Sequence, residues 1–213
     1  MDVVYTDFAK AFDKVSHSKL LFKLKFYGFR ERMVNWINAF LSGRKQKVVL
    51  GDVCSDWAQV TSGVPQGSVL GPILFIIYIN DLLELIQNDS KAYADDNKII
   101  SIIINFYSNH KLQLDIDRIC KWSRDWSAQL NVEKCKVIHF GHNNLRFDFE
   151  VESTPLNKSE CEKDLGIYIK NDLKWDIQVK YVTAKANRIL RMLKKSFKYP
   201  NVESIKSIIH VFS

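Results

Sequence analysis

Cysteine is scarce and scattered in this chain. Its four residues, Cys54, Cys120, Cys135 and Cys161, make no CxxC pair and have no histidine nearby at zinc spacing. That pattern argues against a zinc ribbon or a disulfide scaffold and leaves reduced, partly buried thiols as the expectation. Long hydrophobic runs are missing too. The longest, Val69 to Ile79, is too short to span a bilayer and carries Gly71 and Pro72 near its start. The chain opens on Asp2 and a strand-like run, without the basic flank and apolar core of a signal peptide. It contains no P-loop, so any nucleotide must be gripped in another way. No repeat, low-complexity tract or obvious linker interrupts it. These absences lead to the expectation of an intracellular protein, nuclear or cytoplasmic, with no membrane partner.

What is present is ordinary in amount and unusual in distribution. The 213 residues are 46% hydrophobic and 26% charged, enough for one compact domain or slightly more. The net charge is +7, which favours a polyanionic partner. From Lys180 to Lys198 the chain carries Lys180, Lys185, Arg188, Arg191, Lys194, Lys195 and Lys198 and no acid. By composition alone this is either a solvated helix face or a nucleic-acid-binding one.

Hydrophobic periodicity divides the chain into mixed elements. Asp2 to Asp7 reads as a short buried strand ending in a carboxylate. Helices are expected from about Ser18 to Gly28 and over Glu31–Leu41, each closed by a glycine (Gly28, Gly43). Gln46–Leu50 and Trp57–Thr61 form a hairpin around Gly51-Asp52. The turn-rich loop Ser62–Ser68 precedes an apolar helix from about Gly71 to Gln87, with Pro72 in its first turn. Lys91–Asp95 and Lys98–Ile104 pair through a turn at Asp96-Asn97. An amphipathic helix follows over Asn109–Gln129, then strands at Lys136–Phe140, Arg146–Val151 and Leu165–Ile169. Beyond Trp175 a helix places Val182, Ala186, Ile189, Leu193 and Phe197 opposite much of the basic charge. Strands pairing through hairpins among helices make an α+β fold. The first strand starts at once and the last pattern stops mid-helix, so the chain reads as a piece of something larger.

Three carboxylates stand out: Asp7 at a strand end, and Asp95-Asp96 at a turn. An Asp-Asp in a turn is commonplace, but both sites here are tied to apolar strands. If those strands pair, the acids converge on one sheet edge and need divalent metal to offset their repulsion. Two Mg²⁺ ions on shared carboxylates are what in-line phosphoryl transfer uses.

The motifs around these acids resemble those of the reverse transcriptases of non-LTR (LINE-type) retrotransposons, in their jockey and CR1-like form. Tyr5-Thr-Asp7-Phe-Ala-Lys-Ala-Phe12 resembles the first motif of that family and Ser62-Gly-Val-Pro-Gln66-Gly67-Ser the second. Tyr93-Ala-Asp95-Asp96 resembles the third, Leu130-Asn131-Val-Glu-Lys134 the fourth and Leu165-Gly166-Ile the fifth, followed by Leu173-Lys-Trp175. The resemblance implies a right-hand polymerase palm over residues 1–170 and a partial, basic thumb over 171–213, beginning after the fingers.

It further implies an RNA-directed DNA polymerase that extends a DNA primer on an RNA template with dNTPs, using two Mg²⁺ (or Mn²⁺) ions. Asp7, Asp95 and Asp96 would be catalytic and hold metal, with the backbone carbonyl of Phe8. Phe12 would exclude a ribose 2′-hydroxyl; Gln66 and Gly67 would line the nucleotide pocket. Lys134 would donate a proton to the departing pyrophosphate or lend a charge near it. Tyr93 would pack in the core and beside the primer, which Leu165 and Gly166 would grip. Lys185, Arg188, Arg191 and Lys195 would follow the template–primer phosphates. The rest of a retrotransposon polyprotein, fingers and endonuclease included, would be a further partner. His17 is expected to brace a turn, and Trp122, Trp126 and Trp175 to anchor a core or an interface. Apolar surface left uncovered, the Ile99–Ile104 strand included, would make the chain poorly soluble. Two other readings stay open: an inactive or domesticated nucleic-acid-binding remnant, and a group II intron-type maturase.

Overall fold

The structure, a computed structural model, describes residues 1–196. Phe197 and Lys198 lie outside the described residues. The elements run in the order β1 (Asp2–Thr6), α1 (His17–Phe26), α2 (Glu31–Leu41), β2 (Lys45–Gln46), β3 (Val49–Leu50), β4 (Val53–Cys54), β5 (Ala58–Gln59), α3 (Leu70–Glu84), β6 (Asp89–Tyr93), β7 (Asp96–Ser101), α4 (Phe106–Trp126), β8 (Lys136–His139), β9 (Glu150–Val151), β10 (Thr154–Pro155), β11 (Asn157–Lys158), β12 (Cys161–Asp164), β13 (Ile167–Lys170) and α5 (Asp176–Ser196). Two compact units result, Met1–Glu160 and a second that begins at Cys161.

The first unit is built on a five-stranded sheet ordered β11-β8-β1-β7-β6. β1 lies antiparallel between β7 and β8, and only the β11–β8 pair is parallel. The register puts Val4 opposite both Ile99 and Val137, so one row of β-branched residues crosses the middle of the sheet. All three are buried and share a core with Leu112, Ile116 and Ile119 of α4, Leu74, Tyr78 and Leu82 of α3, and Leu20 and Leu24 of α1. Strand alternation thus gives the helices one face of the sheet to cover.

α1 and α2 follow the expected ranges. α3 ends at Glu84, short of Gln87, because the carboxylate of the fully buried Asp115 accepts bonds from the backbone N–H of Gln87 and Asn88 and from the Asn88 side chain. α4 starts earlier than the apolar pattern suggested. Asn105 caps it, accepting from the Ser108 N–H in a reciprocal capping box.

Residues 44–60 form a ribbon in which β2 pairs with β5 and β3 with β4, turning at Gly51-Asp52. Val48, Leu50 and Val53 on it are more than two-thirds exposed. Phe22, Phe26, Met33 and Trp36 of α1 and α2 are exposed as well. Of the isoleucine strand, Ile99 is core while Ile102 and Ile104 lie open. Trp122 is core and Trp126 packs against it, but Trp175 is exposed.

In the second unit β12 and β13 form a hairpin, and α5 follows it. The Gln178 side chain on α5 accepts from the Tyr168 N–H, and the rings of Tyr168 and Tyr181 meet edge to face. Among the described residues no helix is long and apolar enough to cross a membrane. Cys120 and Cys135 are buried, Cys161 is partly so and Cys54 is exposed.

Candidate active site

The three acids meet at one end of the sheet because of register. Thr6, the last residue of β1, lies opposite Asn97, so Asp7 follows beside Asp96 and next to the turn joining β6 to β7. That turn lies two residues earlier than expected. Tyr93 pairs with Asp96, which leaves Ala94-Asp95, and not Asp96-Asn97, as its two central residues. Ala94 takes a left-handed φ of 54°, a conformation that costs a residue with a Cβ. Asn97 braces the turn. It is buried beside Thr6, and its amide donates to the Asp95 carbonyl at 3.2 Å. Asp7 and Asp95 are half-buried and Asp96 is exposed.

The acids do not close into a three-carboxylate cage, and among the described residues no three His, Cys, Asp or Glu side chains gather as one. Asp95 sits in the turn and is half-buried, while Asp96 begins β7 and is exposed. The donors still suit a hard cation. Asp7 Oδ2 is sealed from solvent and has no hydrogen-bond partner, an orphaned lone pair of the kind a metal satisfies. Phe8 bridges Leu130 through bonds made by its neighbours, Ala9 N–H to Gln129 O and Asn131 N–H to Asp7 O, both 2.8 Å. The carbonyl of Phe8 itself therefore points away from Leu130. Its ring is buried against Trp122 and fixes the backbone there.

Lys134 enters the site by its side chain. Its ammonium lies 3.5 Å from Asp7 Oδ2 while the side chain as a whole is 67% exposed. Next to it, burial pushes the Cys135 thiol up to about 11, against the pull of a hydrogen bond from the Asp7 backbone.

Phe12 lies stacked on Phe75 of α3, centroids 4.4 Å apart. It sits in a loop, residues 10–17, laced to the loop Ser62–Ser68. Val64 N–H donates to Phe12 O, Gly63 N–H to Val15 O, and Ser62 Oγ to Asp13 O. His17 Nε2 meets Gly63 O at 2.8 Å, the brace expected of it. Gln66 donates to the Asp13 carboxylate at 3.0 Å. Two glycines make this docking possible. A Cβ on Gly63 would stand 2.7 Å from Asp13 O, and one on Gly71 2.4 Å from Pro65 O. Gly67, at φ 80°, faces open space.

Asp13 and Asn97 were not singled out in the sequence. Asn97 carried only the signal of a turn former, and Asp13 carried none. Tyr93 is 67% exposed and belongs to no core. In the second unit, Leu165-Gly166 is the two-residue turn of β12–β13, with φ 46° and 89°. It is not the start of a strand. Lys185, Arg188, Arg191 and Lys195 are all exposed on α5.

Residues 3–200 match the family described as Reverse transcriptase (RNA-dependent DNA polymerase). The chain belongs to that family. It is 30% identical over 147 residues to the RNA-directed DNA polymerase from mobile element jockey of Drosophila melanogaster, a stretch covering 65% of this chain and 16% of that protein. It is 30% identical over 178 residues to the Pol polyprotein of retrotransposable element R2 of Popillia japonica, covering 79% and 28%. The chain thus spans well under a third of these relatives. Among solved structures, telomerase from Candida tropicalis in complex with a fragment of telomeric RNA superposes with a TM-score of 0.55 at 15% identity, covering 82% of this chain and 29% of that one. The likeness is one of fold. Both the non-LTR resemblance and the α+β polymerase architecture read in the sequence hold.

Proposed function

We propose that this reverse transcriptase chain carries the polymerising centre of a retrotransposon RNA-directed DNA polymerase, acting on an RNA template and DNA primer with dNTPs. Residues 1–170 are its palm and 171–213 the first part of its thumb. The observation that carries the reading is Asp7 at the end of β1, beside the Ala94-Asp95 turn, with a buried oxygen that has no hydrogen-bond partner.

Asp7 and Asp95, with the Phe8 carbonyl, would hold two Mg²⁺ ions, and Asp96 would complete the acidic cluster at the rim. Such ions would supply the charge that lowers the pKa of a primer 3′-hydroxyl and offsets that of the triphosphate. Phe12 presents a ring already wedged by Phe75, so a 2′-hydroxyl would have to displace packed carbon. Gln66 and the open backbone at Gly67 bound the nucleotide side. Tyr93 and the Leu165-Gly166 turn take the primer strand, and Lys185, Arg188, Arg191 and Lys195 take phosphates. The finished enzyme works beside the other parts of a retrotransposon polyprotein, in nucleus or cytoplasm.

Primer extension on a poly(rA)/oligo(dT) hybrid with Mg²⁺ and dTTP tests the reading. The parent chain extends the primer, and Asp95→Asn binds the hybrid without extending it. Extension by Asp95→Asn at the parental rate would defeat it. Binding without extension by both chains would mean that the chemistry needs parts of the polyprotein outside these residues.

A further inference from the structure

The ammonium of Lys134 and the buried oxygen of Asp7 are held on one anchored unit. Asn131 N–H donates to Asp7 O at 2.8 Å, and the turn closes on itself through Lys134 N–H and Cys135 N–H, both donating to Asn131 O. The backbone carrying the lysine is therefore fixed to the backbone carrying the carboxylate. The lysine side chain as a whole is 67% exposed, against 25% for Asp7. At 3.5 Å the pair is too long for a direct hydrogen bond, so the contact is electrostatic and its geometry is loose. Asp7 Oδ2 nevertheless has almost no contact with solvent. A cation that reaches this oxygen from outside has to take the place of the one already facing it.

We propose that Lys134 is the resident counter-ion of Asp7, competing with the divalent metal for the same oxygen and released toward solvent when the metal arrives. The inference rests on the reading of Asp7 as a metal ligand. The fixed backbone keeps the ammonium within reach of Asp7, so it returns when the metal leaves. A loosely paired, half-exposed ion pair is easily displaced, which suits an exchangeable occupant and would not suit a structural bridge. Lys134 is a positioning residue in this account, acting through the carboxylate.

The test is divalent binding to the 213-residue chain without nucleic acid, followed by the loss of the free Mn²⁺ electron paramagnetic resonance signal. The parent is compared with Lys134→Met, Lys134→Gln and Asp7→Asn, each first checked for an unchanged thermal melt. Both Lys134 variants should bind Mn²⁺ about fivefold more tightly than the parent, as expected for losing a competitor of this exposure. Asp7→Asn should bind much more weakly. Unchanged or weaker binding in the Lys134 variants, with loss in Asp7→Asn, would overturn the counter-ion role and leave the metal reading intact. Parental Mn²⁺ binding in Asp7→Asn would remove the metal reading itself, and the inference with it.

Discussion

Phe12 is the residue whose proposed role as a sugar gate depends most directly on its packing. Its ring is held by Phe75 and its carbonyl by Val64 N–H, so it cannot turn aside for a larger sugar. Phe12→Ala should therefore let ribonucleotides into the product, measured as the ratio of rUTP to dTTP incorporation, with a rise of at least tenfold. The thiols give an independent check on burial. Burial raises Cys135 to about 11 and also pushes Cys120 up. Thiol labelling of the native chain near pH 8 should therefore modify Cys54 first and leave Cys120 and Cys135 to global unfolding. The sign of the pH effect follows. An unfolded Cys135 releases its proton near pH 9 and the folded one near 11, so in that window the folded state binds more protons. Stability from this group is complete below pH 9 and drains away as pH rises toward 11. The slope of melting temperature against pH over that range should flatten in Cys135→Ala. Parental slope in that variant would assign the loss to other groups.

At the scale of elements, three helices meet on one buried charge that the sequence did not reveal. Lys23 of α1 donates to the Tyr78 carbonyl and the Asp81 carboxylate of α3, and its ammonium lies 3.8 Å from the ring centre of Trp126 on α4. Trp122 also donates to Asp81, at 3.0 Å. Burial lowers the lysine from its ordinary range, while Asp81 pulls it back up. Lys23→Met would strand the carboxylate and should cost about 3 kcal/mol in chemical denaturation. A lysine on a helix face looks solvated in any periodicity scheme, which is why this one was invisible. The legible parts were those fixed by local pattern: β1, α1, α2 and the ribbon, together with the motif residues. The parts that were missed depend on backbone conformation. Leu165 and Ala94 occupy left-handed φ without being glycine, so each looked like strand and turned out to be turn. Arg146, at φ 52°, breaks another expected strand and leaves only Glu150–Val151 paired. Capping by Asn105 and Asp115 moved two helix ends for the same reason: side chain to backbone bonds override hydrophobic period.

For the whole molecule, charge is the property that matters. The excess of +7 is matched by the basic residues of one segment, and Lys185, Arg188, Arg191 and Lys195 sit exposed on α5. If these follow phosphates, hybrid affinity falls with salt, and each lysine or arginine changed to glutamine reduces the slope of log Kd against log salt by about one. Fluorescence anisotropy on a labelled hybrid at a series of salt concentrations reads this directly. A slope unaltered in the Lys185→Gln, Arg188→Gln double variant would move the phosphate contacts elsewhere.

The ribbon of residues 44–60 has a practical consequence. Val60 N–H bonds to Arg44 O at 2.9 Å and closes its root, while its tip at Gly51-Asp52 touches nothing that the fold needs. Lengthening a loop already closed at its base costs little, only about 0.6 kcal/mol for a doubling. A peptide tag or a small reporter domain spliced between Gly51 and Asp52 should leave the melting temperature of the host nearly unchanged. The molecule thus offers a built-in attachment point at the exposed tip of the ribbon.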